Sequence, residues 1–498
     1  MVRQMNEMMK ENGKPKQSMA ELITCFKSSS DFVQFEHDAK ELKFWISYIR
    51  TVVDPTLLHE SILGPLLKEK WTSLLQLKEI VPIEEVIITI DTDVISEKLL
   101  EGYVIISMTE YGTPCALLRS TLNKARDISL PEVEFSVVGP KEAFVEALEF
   151  NINLIRKRIQ VPQLRVKELQ IGDLSKTKTA VLYIDNIADE ENVNTIIQRL
   201  KNIHYDQIGD SGYVAQFISD NHNSPFPQVL DSERPDRVAA VLAEGKVAVV
   251  VDGSPQVLIG PTTLIEFFSS FEDYYLNWVL SSFFRLIRVF AVAFSILVTP
   301  VYVATLTFHY ELIPKDLLST LVTSRREIPL PPILEALFLE LTIELLREAG
   351  ARLPTKVGQT IGIVGGIVIG TASVEAGLTS NVLLIIVALA ALASFTTPVY
   401  KMGNTIRLLR FPFLLFAQVY GLLGIVLCFC FLAAHLLRLT SLGRPFLVPI
   451  FPARARDLKD AIIRFPFSTL SKRPLALRTK KPDKFSSKQA KQKHDIDE

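Results

Sequence analysis

The chain has 498 residues, 54 Lys and Arg against 55 Asp and Glu, and a formal net charge of −1. With 48% hydrophobic and 22% charged residues it can bury a core, which excludes intrinsic disorder as the main class. The balance also argues against a nucleic-acid binder, but the average conceals a division. Residues 1–280 hold 28 basic and 41 acidic side chains, net −13; residues 281–437 hold 11 and 8, net +3; residues 438–498 hold 15 and 6, net +9. An acidic front, an apolar middle and a basic end imply three environments, the middle one a membrane.

The opening segment, MVRQMNEMMKENGKPKQ, has no apolar h-region, so no secretory signal is expected and the front domain stays in the cytosol. Residues 1–29 are expected to be disordered. Beyond them the pattern is mixed α/β. Short apolar runs at 103–108 and 246–251 predict strands, and an apolar stripe of period 3.6 (Phe144, Ala147, Leu148, Ile152, Ile155) predicts a helix over 141–159. A second helix is expected over 234–243 after Ser232, and Asp252-Gly253-Ser254-Pro255 reads as a turn between strands.

A weak repeat links Leu99-Leu100-Glu101-Gly102-Tyr103-Val104 to Leu242-Ala243-Glu244-Gly245-Lys246-Val247. Helix, Gly stop, strand, turn and strand occur twice, which predicts two related α/β subdomains, 30–160 and 161–275. No P-loop and no GxSxG elbow is present, so no enzyme is expected. The four cysteines (Cys25, Cys115, Cys428, Cys430) form no CxxC pair and no His/Cys cluster, so neither a metal nor a cofactor is expected. Arg156-Lys157-Arg158, with Arg165 nearby, is either a phosphate site or a solvated helix end. His435, inside an apolar run, suggests a helix–helix hydrogen bond.

Four uncharged runs approach or exceed the roughly 20 residues that span a bilayer. They predict a transmembrane domain over 281–438, with spans at about 289–308, 357–376, 378–400 and 411–437. Residues 333–350, opened by Pro331-Pro332, carry Glu340, Glu344 and Glu348 on one face. That face excludes lipid at depth, so the segment lies at the interface, re-enters or lines water. Arg285 and Arg288 before the first run, and the basic end after the last, place both on the cytosolic side. Four crossings satisfy this and are preferred, although the loop with Lys401, Arg407 and Arg410 then faces outward; five would bring that loop inside but put the basic tail outside. Residues 439–498 are expected to be a cytosolic basic tail, disordered from 471 and touching anionic lipid.

The segment VGQTIGIVGGIVIGTASVEAG (357–377) is the most informative. Gly358, Gly362, Gly366 and Gly370 recur at four-residue spacing and make one smooth helix-packing stripe, either within a subunit or between copies. The other face carries Thr360, Val364, Val368, Thr371 and Glu375, polar at its ends and apolar in the middle, as a pore helix that gates by dewetting would be. A secondary transporter would show broken repeats in the membrane half, whereas the visible repeat lies in the soluble half.

Ordered along the chain, Glu134 to Phe144 (EFSVVGPKEAF), Asn151 to Ile159 (NINLIRKRI), Glu233-Arg234-Pro235-Asp236, Val251 to Pro255 (VDGSP), Glu272-Asp273-Tyr274-Tyr275, Leu353 to Gly362 (LPTKVGQTIG) and Gly443-Arg444-Pro445-Phe446 resemble the A subunit of the GerA-type spore germination receptors, over about residues 80–470. One departure is Tyr111-Gly112, where the first repeat should have an Asp-Gly turn. The resemblance implies an α+β cytosolic head, an α-helical transmembrane domain and a basic C-terminal tail in the inner spore membrane. It also implies a transporter-like B subunit that senses the nutrient, a C-subunit lipoprotein, and self-assembly, as a pentamer, into a nutrient-gated channel for monovalent cations. On that footing 357–377 lines the pore, Val364 and Val368 close it, and Glu340, Glu344, Glu348 and Glu375 attract cations. The alternative is a non-conducting scaffold that relays the signal.

Overall fold

The computed structural model describes residues 18–486 apart from 40, 41, 84, 123–130, 132, 133, 135, 354 and 455; the side chains of 39 and 355–364 lie outside the description. The first helix is α1 (Met19–Lys27), in the segment expected to be disordered. Ser18 and Glu21 form a capping box at its start, and its apolar face (Leu22, Ile23, Phe26) is buried.

The first five-stranded sheet contains β1 (Phe32–Ala39), β2 (Leu42–Ile49), β3 (Val86–Thr89), β4 (Tyr103–Ser107) and β5 (Cys115–Arg119). Its order is β1-β2-β4-β5-β3, with every paired neighbour antiparallel. Alternation along β4 feeds two cores. Val104 and Ile106 pack with Phe44, Trp71 and Leu74 on one face. Tyr103 and Ile105 pack with α1 and α2 (Thr92–Leu100) on the other.

The second sheet contains β6 (Leu164–Ile171), β7 (Thr177–Ile184), β8 (Leu230–Ser232), β9 (Val247–Val251) and β10 (Val257–Gly260), in the same order, β6-β7-β9-β10-β8. One face packs on α3 (Leu148–Arg158) and α6 (Pro235–Glu244), the other on α4 (Glu190–Lys201) and α5 (Ser211–Ile218). Equivalent glycines stop the repeated helices, Gly102 at φ 95° and Gly245 at φ 101°.

Two details differ from the sequence reading. The helix expected over 141–159 begins only at Leu148. The preceding residues are drawn onto the second sheet instead: Phe144 N–H donates to Glu233 O (2.8 Å) and Leu148 N–H to Asp252 Oδ1 (3.1 Å). Consequently α3 contributes to the second core, although it lies before the expected division at residue 160.

The C-terminal half is helical: α7 (Trp278–Phe308), α8 (Lys315–Arg325), α9 (Pro332–Arg352), α10 (Thr355–Glu375), α11 (Asn381–Ser394) and α12 (Tyr400–Arg438). Among the described residues, α7 and α12 are long and apolar enough to cross a membrane. The run expected to span 378–400 is shorter, because Gly377 (φ 66°) turns the chain, Ser380 caps α11 and Pro398 lies beyond its end.

The run expected to cross once over 411–437 is two helical halves. Gly421, at φ 61° and ψ −140°, breaks α12 in a region essentially reserved for glycine. The halves fold back on each other, bringing the rings of Phe416 and Phe431 to 6.1 Å. Both free ends reach the head: Thr405 bonds Pro225 O, and His435 lies 2.9 Å from Ser224 Oγ. His435 therefore joins helix to head rather than helix to helix. Lys401, Arg407 and Arg410 lie within the first half, not in a loop. α9 runs beside them as one full helix, Pro332–Arg352. Residues after 438 return to the head.

The tail is ordered there to residue 486. Arg444 bonds Asn192 (3.0 Å) and Asp189 (2.6 Å), and buried Arg473 donates to Ala243 O (2.8 Å). Lys480 pairs with Glu190 and Lys484 with Glu244. Two of the lysines expected at lipid headgroups, Lys480 and Lys484, are thus held by the acidic head, as opposite net charge favours; residues 487–498 lie outside the description.

Candidate functional site

Pro331 and Pro332 open α9, where a missing N–H costs no helical bond. Glu340 lies where α7, α11 and α12 converge on α9. It pairs with Arg410, both side chains being 4% exposed or less. Thr299 donates to its other oxygen at 3.1 Å, and Arg410 also donates to Ser295 Oγ at 2.7 Å. One turn toward the helix start, Glu335 accepts from Arg325 (2.8 Å) and from the Ser380 N–H (3.2 Å).

Glu344 pairs with Arg347 and lies 3.9 Å from Arg407; Glu348 pairs with Arg352. These three of the acids expected to attract cations each already carry a guanidinium. Burial makes such pairing obligatory at Glu340, because an isolated carboxylate there has no other counter-charge.

Along α10, Gly358, Thr360, Gly362 and Val364 have side-chain positions outside the described residues. Val368 is 54% exposed. The Thr371 hydroxyl turns back to Ile367 O at 2.7 Å, and Glu375 is exposed and makes no ion pair with a described residue. Of the glycine stripe, Gly366 faces open space, and a Cβ on Gly370 would meet Leu384 at 3.7 Å, ordinary contact. The tight approach is one residue off the stripe: a Cβ on Gly365 would lie 2.7 Å from Leu346 Cδ2 of α9. Within one chain α10 therefore leans on α9 and α11 and leaves the Gly366–Val368 side uncovered.

In the head, neither reading of the basic run at 156–158 holds for Arg156. It is 2% exposed and binds Asp31 through Nε (2.6 Å) and Nη2 (2.7 Å), tying α3 to the turn before β1. Arg165 reaches Cys25 O and Asp185. At the root of α7, Asp273 accepts from Arg285 (3.0 Å) and Arg288, and Arg285 also reaches Asp460 of the tail. Burial, with Asp460 alongside, pushes the Tyr274 phenol well above its usual range. Among the described residues no group of His, Cys, Asp or Glu is placed to hold a metal.

The model of the Bacillus/Clostridium GerA spore germination protein family matches residues 20–476. The chain belongs to that family. The match starts well before residue 80, where the motifs alone ceased to be readable. Spore germination protein GerQA of Bacillus cereus is 51% identical over 469 residues, 94% of each chain. Spore germination protein GerIA of the same organism is 50% identical over 93% of this chain and 69% of its own length. A crystal structure of the N-terminal domain of the A subunit of the Bacillus megaterium germinant receptor GerK3 is 31% identical, covering 49% of this chain and 95% of that one, at a TM-score of 0.38.

The sequence reading of this GerA-family chain missed Arg410, Arg325 and Arg347 as partners of the α9 acids. A signal was available: buried acids in a helical bundle require counter-charges, and these arginines are among the few cations between residues 281 and 437.

Proposed function

We propose that this chain is the A subunit of a nutrient-responsive spore germination receptor. Copies assemble, as a pentamer, around a pore for monovalent cations in the inner spore membrane, with the head and tail in the cytosol. A transporter-like B subunit senses the nutrient, a C-subunit lipoprotein lies outside, and nutrient binding shifts a closed–open equilibrium by favouring the open assembly.

The observation that carries this reading is the uncovered side of α10, where Gly366 and Val368 are exposed on a helix whose other described glycines contact α9 and α11. A second copy packed there would place Val364 and Val368 at a constriction, with Thr371 and Glu375 toward water. Because Glu340, Glu344 and Glu348 carry guanidinium partners, Glu375 is the acid left to attract cations. Spores with Val364→Ala or Val368→Ala should release monovalent cations without nutrient. An intact cation barrier in both variants, at normal protein level, would overturn the pore assignment.

The pairing of Glu340, Glu344 and Glu348 with guanidinium groups favours a second reading, a scaffold that relays the signal while another protein moves ions. Purified chain in liposomes separates the two: no cation flux, even from the valine variants, favours the scaffold.

A further inference from the structure

Where α9 and α12 approach the head, two guanidinium groups share one carboxylate. Arg347 donates to Glu344 and, through Nη1, to Asn404 Oδ1 at 3.2 Å. Arg407 donates to the same amide oxygen, and its Nε lies 3.9 Å from Glu344 Oε2. The Arg407 side chain is 10% exposed, and the Nε atoms of both arginines are buried without a hydrogen bond. Neighbouring charges are already committed: Arg410 to Glu340, Arg352 to Glu348, and Lys401 to Asp231 of the head at 3.2 Å.

Two like charges on one carboxylate and one neutral oxygen leave a positive charge in a low-dielectric setting, which is costly unless an anion completes it. The cluster opens outward, because Asn404 is exposed. It opens at the boundary between head and bundle, since the adjacent Thr405 bonds Pro225 O of the head.

We propose that Arg347 and Arg407 bind a phosphate group between α9 and α12. Guanidinium forks match pairs of phosphate oxygens, and two forks from two helices can hold one such group from both sides. Its source is either the headgroup of an anionic phospholipid or free phosphate from solution. The lipid source rests on the membrane reading above; the anion site itself does not.

The test uses the full chain in neutral detergent and follows its unfolding temperature. It is titrated with phosphatidylglycerol, with phosphatidylcholine, and with inorganic phosphate at constant ionic strength. Native chain is compared with Arg347→Gln, Arg407→Gln and the control Arg352→Gln. The expected result is stabilisation by phosphatidylglycerol, half-saturating at about tenfold lower concentration for native and Arg352→Gln chains than for the other two. Phosphatidylcholine should be without effect.

An arginine-dependent response to inorganic phosphate equal to that for lipid identifies free phosphate as the source. No response of the native chain to either anion overturns the site, as does an equal response in all variants. Should the glutamine variants not fold, a photoactivatable phosphatidylglycerol on native chain decides: adducts at 344–347 and 404–407 support the site, and adducts only elsewhere overturn it. Co-fractionation of the native chain with spore membranes is scored separately, so a failure of the membrane reading is distinguishable from a failure of the anion site.

Discussion

Gly421 stands directly against His309: a Cβ at position 421 would lie 2.8 Å from His309 Nε2 and 3.2 Å from Phe308 Cβ. The break in α12 is thus seated on the end of α7, and both its backbone conformation and its surroundings require glycine. Gly421→Ala should lower stability by about 1–3 kcal/mol from backbone strain alone, with the clash added. In an unbroken helix the same change would instead stabilise by up to about 1 kcal/mol. A rise in the unfolding temperature of the detergent-solubilised chain would therefore show that the helix runs straight.

Arg410 and Glu340 hold α9 against α12 without access to water. Arg410→Ala strands a buried carboxylate and should cost about 3–5 kcal/mol. Replacing both, as Glu340→Leu with Arg410→Met, should recover most of that loss. Stability of the two single variants and the double variant forms a cycle, and strict additivity would mean that the pair does not interact.

The Asp31–Arg156 pair makes a pH prediction. Burial alone would raise the Asp31 carboxyl, but the Arg156 charge and hydrogen bonds from Arg156, Ser29 and Thr51 outweigh it and hold the pKa below the ordinary 3.8. A depressed folded-state pKa contributes stability above the unfolded value, and that contribution is lost as pH falls through the folded one. Between pH 7 and 4 the native chain should exceed Asp31→Asn by a constant margin, and the margin should shrink below about pH 4. Unfolding temperatures measured down that range check it; a margin that persists in strong acid contradicts the assignment.

Arg473 donates to Ala243 O, Lys481 O and Asp483 O, so it organises the tail while fixing it to the head. Arg473→Ala should destabilise the tail by about 1.5–3 kcal/mol. Brief trypsin treatment should then cut at Lys480 and Lys484 in the variant well before it does so in native chain. Equal cleavage rates would mean that the tail is free in both.

Secondary structure in the head was legible where periodicity and turn chemistry agreed: the strands near 103 and 247, the glycine stops at Gly102 and Gly245, and the repeated order around them. The start of α3 was not, because Phe144 and Leu148 fit a helical stripe while their backbone N–H groups are claimed by Glu233 and Asp252, partners about ninety and a hundred residues away. In the membrane half, apolar length located α7 but could not reveal the reversal at Gly421, since a glycine in an apolar run reads as a packing residue. The glycine spacing was readable, but among the described glycines of α10 the close contact falls on Gly365, because which side of α10 meets α9 depends on α9 being a full helix in the bundle.

The tail that completes the head has a consequence for how the protein is made. Thr262 N–H donates to Ser441 Oγ at 2.9 Å, and Phe446 lies wholly buried in the core of the second sheet. Those residues leave the ribosome after all the apolar helices. Domains otherwise tend to fold in the order of synthesis. Here the part of the second sheet's core that Phe446 fills stays open until residues 439–446 have been made. A chain stopped short of residue 446 leaves the domain with which it began unfilled at that place.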